Sequence, residues 1–130
     1  MLTVEQIIGD LLMQHNCVVV PNFGGFVAKR VPAQVDTTKG VVIPPRKSVL
    51  FNRSLTTNDG LLIQTVSLNH QIQFDAAEIT VQEHVNGWNS ALKSGDRVSI
   101  DRVGILYMDA ENNINFEQDR TLIYCWNPLV

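Results

Sequence analysis

The segment that decides the fold is CVVVPNFGGFVAKR, residues 17–30. Its first four residues form a β-branched apolar run, which is typical of a buried strand. Pro21-Asn22 ends that run, because proline is poorly tolerated inside a central strand. Phe23 and Phe26 resume the apolar pattern around Gly24-Gly25, and paired glycines mark a bend where another backbone comes close. The segment therefore predicts two short strands that meet at a glycine-bearing turn.

Helical periodicity precedes this segment and returns in the second half of the chain. Thr3 and Gln6 form a capping-box pattern, and apolar residues then recur at the spacing of one helical face. This first helix should end near His15-Asn16, where the first strand begins. We expect a second helix from near Asn58-Asp59 and a third from Asp75 to Lys93.

Strand patterns fill most of the remaining chain. Residues 97–100, 103–108 and 114–116 have the apolar content and alternation of short strands, and the 103–108 segment carries Gly104 at its start. Residues 109–113 form a polar turn between two of these strands. The tail is apolar from Leu122 to Trp126, and we expect it to add a strand or to pack elsewhere on the protein.

A long hairpin is predicted between Arg30 and Phe51. Residues 31–40 have a weak strand pattern with a turn at 36–40, and residues 41–43 form a returning strand. Pro44-Pro45 breaks this strand, which resumes over residues 46–51. Arms of this kind are poorly packed and usually contact another molecule.

The charge of the chain is unevenly distributed. The 130 residues carry a net charge of −3, but residues 1–55 carry +3 and residues 56–130 carry −6. All bases of the first part lie on or beside the predicted hairpin: Lys29, Arg30, Lys39, Arg46, Lys47 and Arg53. This is a local basic patch on an acidic protein, which either contacts phosphates or keeps an exposed strand edge from aggregating. Charge alone favours the second interpretation, in which the bases keep an exposed strand edge from aggregating.

The sequence contains no pattern typical of an enzyme. No serine, cysteine or threonine lies in a nucleophile motif, and no glycine-rich phosphate loop opens a helix. The segment FGGF lacks the third glycine of a dinucleotide-binding loop, and extended residues follow it. The histidines lack ligand spacing, and His15 and Cys17 alone do not make a zinc site, which needs four ligands. We expect no catalysis, cofactor, metal or small-molecule substrate.

The two cysteines, Cys17 and Cys125, lie far apart in the sequence. A disulfide between them is possible in principle, but two reduced thiols in a cytosolic protein are the simpler interpretation. The first helix is too short and too polar for a signal peptide or a membrane span. We therefore expect a cytoplasmic chain that makes no membrane contact of its own.

The order of helix, glycine turn, basic hairpin and helix resembles the HU/integration host factor family of histone-like, DNA-bending proteins. Residues 22–26, NFGGF, are similar to the Gly-Phe-Gly-Thr-Phe turn of that family, and residues 43–51, IPPRKSVLF, to the returning leg of its arm. The second half resembles the same family from its beginning. Residues 58–93 are similar to its first two helices, and residues 94–100, SGDRVSI, precede a second glycine turn.

The resemblance implies an α+β fold of two HU-like units, residues 1–57 and 58–130, in one intertwined body. It is nearest to paired bacterial domains found ahead of peptidoglycan-binding sporulation-related (SPOR) repeats. The implied function is sequence-nonspecific DNA binding through the six bases of the hairpin. The implied structural turn residues are Phe23, Gly24, Gly25, Phe26 and Gly104.

The chain also departs from the family. At the arm tip the family has Arg-Asn-Pro, whose proline wedges between bases, whereas residues 35–40 here read VDTTKG. Sharp DNA bending is therefore not expected. The acidic second half favours an alternative, in which the fold is a protein-interaction scaffold of an envelope-linked or division-linked protein. A homodimer is also compatible with the family.

Overall fold

The computed structural model describes residues 2–43, 45–57 and 60–119. They form an α+β fold, as predicted. The helices are α1 (Val4–Gln14), α2 (Leu61–His70) and α3 (Phe74–Lys93). The strands are β1 (Cys17–Val20), β2 (Gly24–Val31), β3 (Gln34–Asp36), β4 (Val41–Ile43), β5 (Arg46–Asn52), β6 (Val98–Ile100), β7 (Gly104–Met108) and β8 (Ile114–Gln118). Within the described residues, no helix is long and apolar enough to cross a bilayer.

Helix α1 begins at the predicted capping box. The Thr3 hydroxyl accepts a hydrogen bond from the Gln6 amide (3.2 Å), and the Gln6 side chain accepts one from the Thr3 amide (3.0 Å). These bonds satisfy two of the backbone donors that a helix leaves unpaired at its start. The helix ends at His15, which is extended, so that β1 follows within two residues. Both predicted ends of α1 are confirmed.

The first sheet has the order β1-β2-β5, with antiparallel neighbours. A three-residue turn, 21–23, joins β1 to β2, and Asn22 has a left-handed backbone with φ of 63°. The Phe23 amide closes the turn on the Val20 carbonyl at 3.1 Å. The predicted pair of strands is confirmed, and Gly24-Gly25 form the start of β2.

The arm continues the ladder of β2 and β5 after an interruption on both legs. Its outer part is the two-stranded sheet β3-β4, in which Val35 lies opposite Val42. Asp36 closes the tip, because its carboxylate accepts hydrogen bonds from the Thr38 and Lys39 amides (3.0 and 3.2 Å). The predicted protruding hairpin is therefore present, with its turn in the predicted place.

The second sheet has the order β6-β7-β8, also antiparallel. A three-residue turn, 101–103, joins β6 to β7. Helix α3 begins at Phe74, one residue before the predicted start, because Gln73 and not Phe74 is the extended N-cap. The predicted start of the second helix at Asn58-Asp59 and the apolar tail at 122–126 lie outside the described residues.

Both sheets share one hydrophobic core with all three helices. At its centre an aromatic chain crosses between the sheets: the Phe51 and Phe26 rings lie 5.1 Å apart, and Phe26 meets Phe116 edge-on at 5.7 Å. Trp88 of α3 extends the chain through Phe23 at 5.3 Å. Because these rings come from both halves of the sequence, the halves form one intertwined body, as expected from the resemblance.

Each interstrand turn contacts the helix that precedes the other sheet. Asn22 of the first turn donates to the Gln82 side chain of α3 at 3.0 Å. Arg102 of the second turn forms an ion pair with Asp10 of α1. The Trp88 indole N–H donates to Glu5 at 3.2 Å and so joins the two helices directly. The contact between the halves is therefore reciprocal, as in a symmetric dimer.

Candidate nucleic-acid interface

The root of the arm brings three of the predicted basic residues together. In the β2-β5 ladder, Lys29 lies opposite Ser48, and on the next two rungs Arg30 lies opposite Lys47 and Val31 opposite Arg46. The side chains of Lys29 and Arg30 are exposed. Lys29, Arg30 and Arg46 therefore lie within three rungs of one another, and we call these residues the arm-root cluster. In register, the positions of Lys29 and Arg46 belong to one face of the ladder, and the position of Arg30 belongs to the other face, which it shares with Lys47.

Lys47 belongs to the same stretch of sequence but points into the protein. Its side chain is only 6% exposed, and its ammonium donates to the Leu12 and Met13 carbonyls at 2.8 and 3.0 Å. These carbonyls belong to the last turn of α1, where a helix leaves its acceptors unpaired. Burial lowers the pKa of Lys47, and the nearby charge of Arg30 lowers it further.

The assignment of Lys47 to the phosphate-contacting residues is therefore corrected. Its ammonium is used to cap α1 and is not presented to solvent. The alternation of the strand could have indicated this, because side chains two residues apart share a face. Lys47 shares its face with Val49, which is buried, and with Phe51, which packs against the core.

The two remaining bases lie away from the arm-root cluster. Lys39 is exposed in the tip turn, next to the Asp36 carboxylate that closes this turn. Arg53 is exposed just beyond the opposite end of β5, where Asn52 pairs with Gly25. The ladder from Gly25 to Val31 separates it from the arm, a span of about 20 Å at the rise of a strand.

A small apolar patch lies beside the polar tip turn of the arm, and the charge pattern does not indicate it. Val35 is 67% exposed and its cross-strand partner Val42 is 65% exposed. Directly opposed residues of an antiparallel pair lie on the same face, so the two valines form one small apolar patch. The signal was present in the sequence, since the two legs of the predicted hairpin each place a valine beside the turn.

Of the residues assigned to structural turns, Phe23 closes the first turn, whereas the others begin or follow the start of a strand: Gly24, Gly25, Phe26 and Gly104. A Cβ on Gly24 would collide with the Phe51 ring, and one on Gly104 would collide with the Phe116 ring and the Glu117 carbonyl. Each glycine therefore allows a phenylalanine of the neighbouring region to pack directly on the backbone. All five residues are buried, so they build the two sheets and present no side chain to a ligand.

The described residues contain no group of histidine, cysteine, aspartate and glutamate side chains that could hold a metal ion. Cys17 is a free, half-buried thiol. Cys125 lies outside the described residues, so its predicted reduced state stays a prediction.

Two family models match the chain and together cover almost all of it. The CCDC81-like prokaryotic HU domain 1 matches residues 1–59, and the CCDC81-like prokaryotic HU domain 2 matches residues 60–126. Comparison with curated proteins gave no match. Comparison with solved structures also gave none. The two matches meet between residues 59 and 60, which lie between β5 and α2. The chain therefore belongs to the CCDC81-like prokaryotic HU domain family and carries its first and second domains in tandem.

Proposed function

We propose that the chain is a non-enzymatic DNA-binding module that contacts the phosphate backbone through the arm-root cluster, with Lys39 as a further contact. The observation that carries the proposal is the grouping of Lys29, Arg30 and Arg46 on adjacent rungs at the root of a protruding hairpin. Contacts of basic side chains with phosphates position a protein on DNA but do not read its sequence. The binding should therefore be sequence-nonspecific.

The charge distribution supports a binding surface confined to the first domain. Residues 56–130 carry a net charge of −6, which repels a polyanion, whereas the bases concentrate on the arm. Four phosphate contacts would give a log-log salt slope of about −3.6. A slope of this size corresponds to binding that weakens strongly at physiological salt.

The proposal does not include a sharp DNA bend. The arm tip has Thr37, Thr38 and Lys39 where the HU family carries its wedging proline. A DNA-binding role would place the chain in the cytoplasm of a prokaryotic cell, where the chromosome is accessible. A homodimer, which the family resemblance allows, would put two arms on one duplex and raise the avidity.

The test is a titration of long duplex DNA at several salt concentrations, followed by fluorescence anisotropy. The double variant Lys29→Ala with Arg46→Ala should bind more weakly to every sequence, and its salt slope should flatten by about two. Lys47 is left unchanged, because its replacement would perturb α1. The matched control is Lys93→Ala with Arg97→Ala, which removes the same charge from exposed positions of the second domain.

Three results would contradict the proposal. They are the absence of binding at low salt, an unchanged slope in the arm-root double variant, or an equal loss in the control. Equal losses would mean that net charge, and not the arm root, determines binding. Absence of binding would replace DNA binding with the protein-interaction hypothesis, whereas an unchanged slope or equal losses would show that DNA binding does not depend on the arm-root cluster.

A further inference from the structure

The outer part of the arm carries an apolar patch that its own chain leaves uncovered. It consists of Val35 and Val42, which oppose each other in β3-β4 and are each about two-thirds exposed. We call these two residues the valine patch. Lys39 is exposed in the adjoining tip turn. The arm therefore ends in a narrow apolar surface with a positive charge beside it.

A groove of about 320 Å³ lies between the first turn and α3. Ile63 and Val81 are buried at its base, and Pro21 and Ile79 also line it. Ile79 is 61% exposed, so its side chain forms an accessible apolar wall. Glu78 is exposed at the rim. The groove therefore offers an apolar base and wall with a negative charge at its edge, which is the complement of the valine patch with Lys39.

Hydrogen bonds hold this groove open in the folded chain. The Asn22 side chain donates to the Gln82 side chain at 3.0 Å, and Gln82 donates in turn to the Asn86 side chain at 3.0 Å. These bonds fix the first turn against α3, so that the two sides of the groove keep their separation. A preformed groove lowers the cost of ordering a binding site.

The arm cannot reach the groove of its own chain. The groove adjoins the start of β2, whereas the arm continues from Val31 at the end of this strand. The strand from Gly24 to Val31 spans about 23 Å at the rise of a strand. The four residues from Val31 to Val35 span at most about 14 Å, even if the arm folded back along the sheet. The valine patch is therefore available only to the groove of another copy.

The charges around the patch and the groove favour a contact between two copies. Helix α3 carries three acids, and it has no lysine or arginine before its last residue. Residues 29–42 carry three bases and one acid, Asp36, whose carboxylate already accepts two backbone hydrogen bonds. The arm of one copy is therefore attracted to α3 of another, whereas two arms or two α3 helices repel each other.

We propose that the valine patch of one copy binds in the groove beside α3 of a second copy, with Lys39 facing Glu78. The contact joins different surfaces of the two copies, so it is heterologous and can repeat from copy to copy, head to tail. A contact made by one hairpin is small, so the association should be weak and reversible. The proposal does not rest on DNA binding.

Disulfide trapping between two full-length copies tests this contact. Both native thiols are first removed by Cys17→Ser and Cys125→Ser. One copy then carries Val35→Cys, the other carries Ile79→Cys, and the two are mixed. Leu68→Cys on α2 is the matched control, because Leu68 is 73% exposed and does not line the groove. Each copy has a single thiol, so every product is a dimer that mass spectrometry can identify.

The trap should be selective for the groove. Under mild oxidation without DNA, the Val35→Cys copy should react about tenfold faster with Ile79→Cys than with Leu68→Cys, because binding raises the local thiol concentration. Adding Lys39→Glu to the arm copy should slow this reaction by about threefold. Adding Glu78→Lys to the groove copy should then restore the rate, since the two charges are exchanged.

Any of four results would overturn the proposal. Equal rates with Ile79→Cys and Leu68→Cys would show that the groove is not the binding site. Disulfides formed chiefly between two Val35→Cys copies would show that the patch pairs with itself. An unchanged rate after Lys39→Glu would contradict the facing charges. Loss of DNA affinity in Val35→Ser with Val42→Ser, without a preferred disulfide, would assign the patch to DNA.

Discussion

The first and second sheets have the same kind of turn between their first two strands and differ in the connection between their second and third strands. Each has a three-residue turn whose central residue is left-handed, with φ of 63° at Asn22 and 64° at Arg102. Each turn closes through a backbone hydrogen bond, from Phe23 to Val20 (3.1 Å) and from Val103 to Ile100 (2.9 Å). The two turns therefore have the same backbone geometry in both sheets.

The connection between the second and third strands is where the sheets diverge. In the first sheet it is the arm with β3 and β4, whereas in the second it is the short turn 109–113. Both connections use an aspartate to bind backbone amides: Asp36 at the arm tip and Asp109 in the short turn. The repeated parts therefore hold the body together, while the divergent loop carries the candidate binding surface.

The largest expected effect concerns the glycine at the start of each middle strand. Gly104→Ala should lower the free energy of unfolding by about 3 kcal/mol, because the new methyl meets the Glu117 carbonyl, which the ladder holds in place. Gly24→Ala should cost about half as much, since its methyl meets mainly the Phe51 ring. Urea denaturation followed by circular dichroism measures both.

Gly87→Ala provides the control for this pair of variants. Gly87 lies in α3 with nothing within 4 Å of an added Cβ, so the change should stabilise the protein by about 1 kcal/mol. A larger cost at Gly24 than at Gly104 would contradict the predicted order, which rests on the backbone contact at Gly104.

The second prediction compares the stability effect of replacing Lys47, which caps α1, with that of replacing Lys39, which is exposed. Lys47→Met keeps the apolar stem but removes the donor for the Leu12 and Met13 carbonyls, and it should cost about 2 kcal/mol of stability. Lys39→Met at the exposed tip should change stability by less than about 0.5 kcal/mol. Equal stability of the two variants would contradict the inward orientation of Lys47.

The same lysine predicts a dependence on alkaline pH. Its pKa in the folded protein lies below the unfolded value of 10.5, so the folded state binds fewer protons between these two values. The contribution of Lys47 to stability therefore rises as the pH increases through the lowered pKa towards 10.5. The stability advantage of the natural chain over Lys47→Met should grow over that interval in denaturation experiments at increasing pH.

The third prediction concerns the hydrogen bonds that join the two sheets. The Gln118 side chain accepts from the Val49 amide and donates to the Lys47 carbonyl, both at 2.9 Å, and so pairs with the edge of β5 as a strand would. Gln118→Leu should cost about 1–2 kcal/mol, because it leaves these two backbone groups unpaired. Gln34→Leu on the exposed arm is the control and should be nearly neutral in thermal denaturation.

The smallest expected effect lies in the short turn of the second sheet. The Asn115 side chain and the Asn113 and Glu111 amides donate hydrogen bonds to Asp109 and lower its pKa below 3.8. The stabilisation is therefore complete above pH 3.8 and is lost as the pH falls through the lower folded value. The difference in melting temperature between the natural chain and Asp109→Asn should shrink over this acidic range. A constant difference would contradict the assignment.

Local signals were sufficient to predict most of the elements. The capping box at Thr3 and the spacing of its apolar residues predicted α1, because a helix start depends on neighbours three or four residues away. Pro44-Pro45 predicted the division between β4 and β5, since proline cannot donate to a ladder. The family resemblance, based on the glycine turns and the returning leg, is confirmed by the two domain matches.

Short-range patterns thus predicted the helices, the strands, the arm and its turn, whereas the tandem α+β arrangement was implied by the family resemblance. Two long-range contacts depend instead on how the chain folds up: Lys47 caps α1 from 35 positions away, and Gln118 pairs with β5 from 69 positions away. Alternation with Val49 and Phe51 indicates the face on which Lys47 lies, but no local pattern identifies a partner so distant in the sequence. That partner is decided by which element the assembled core places against this face.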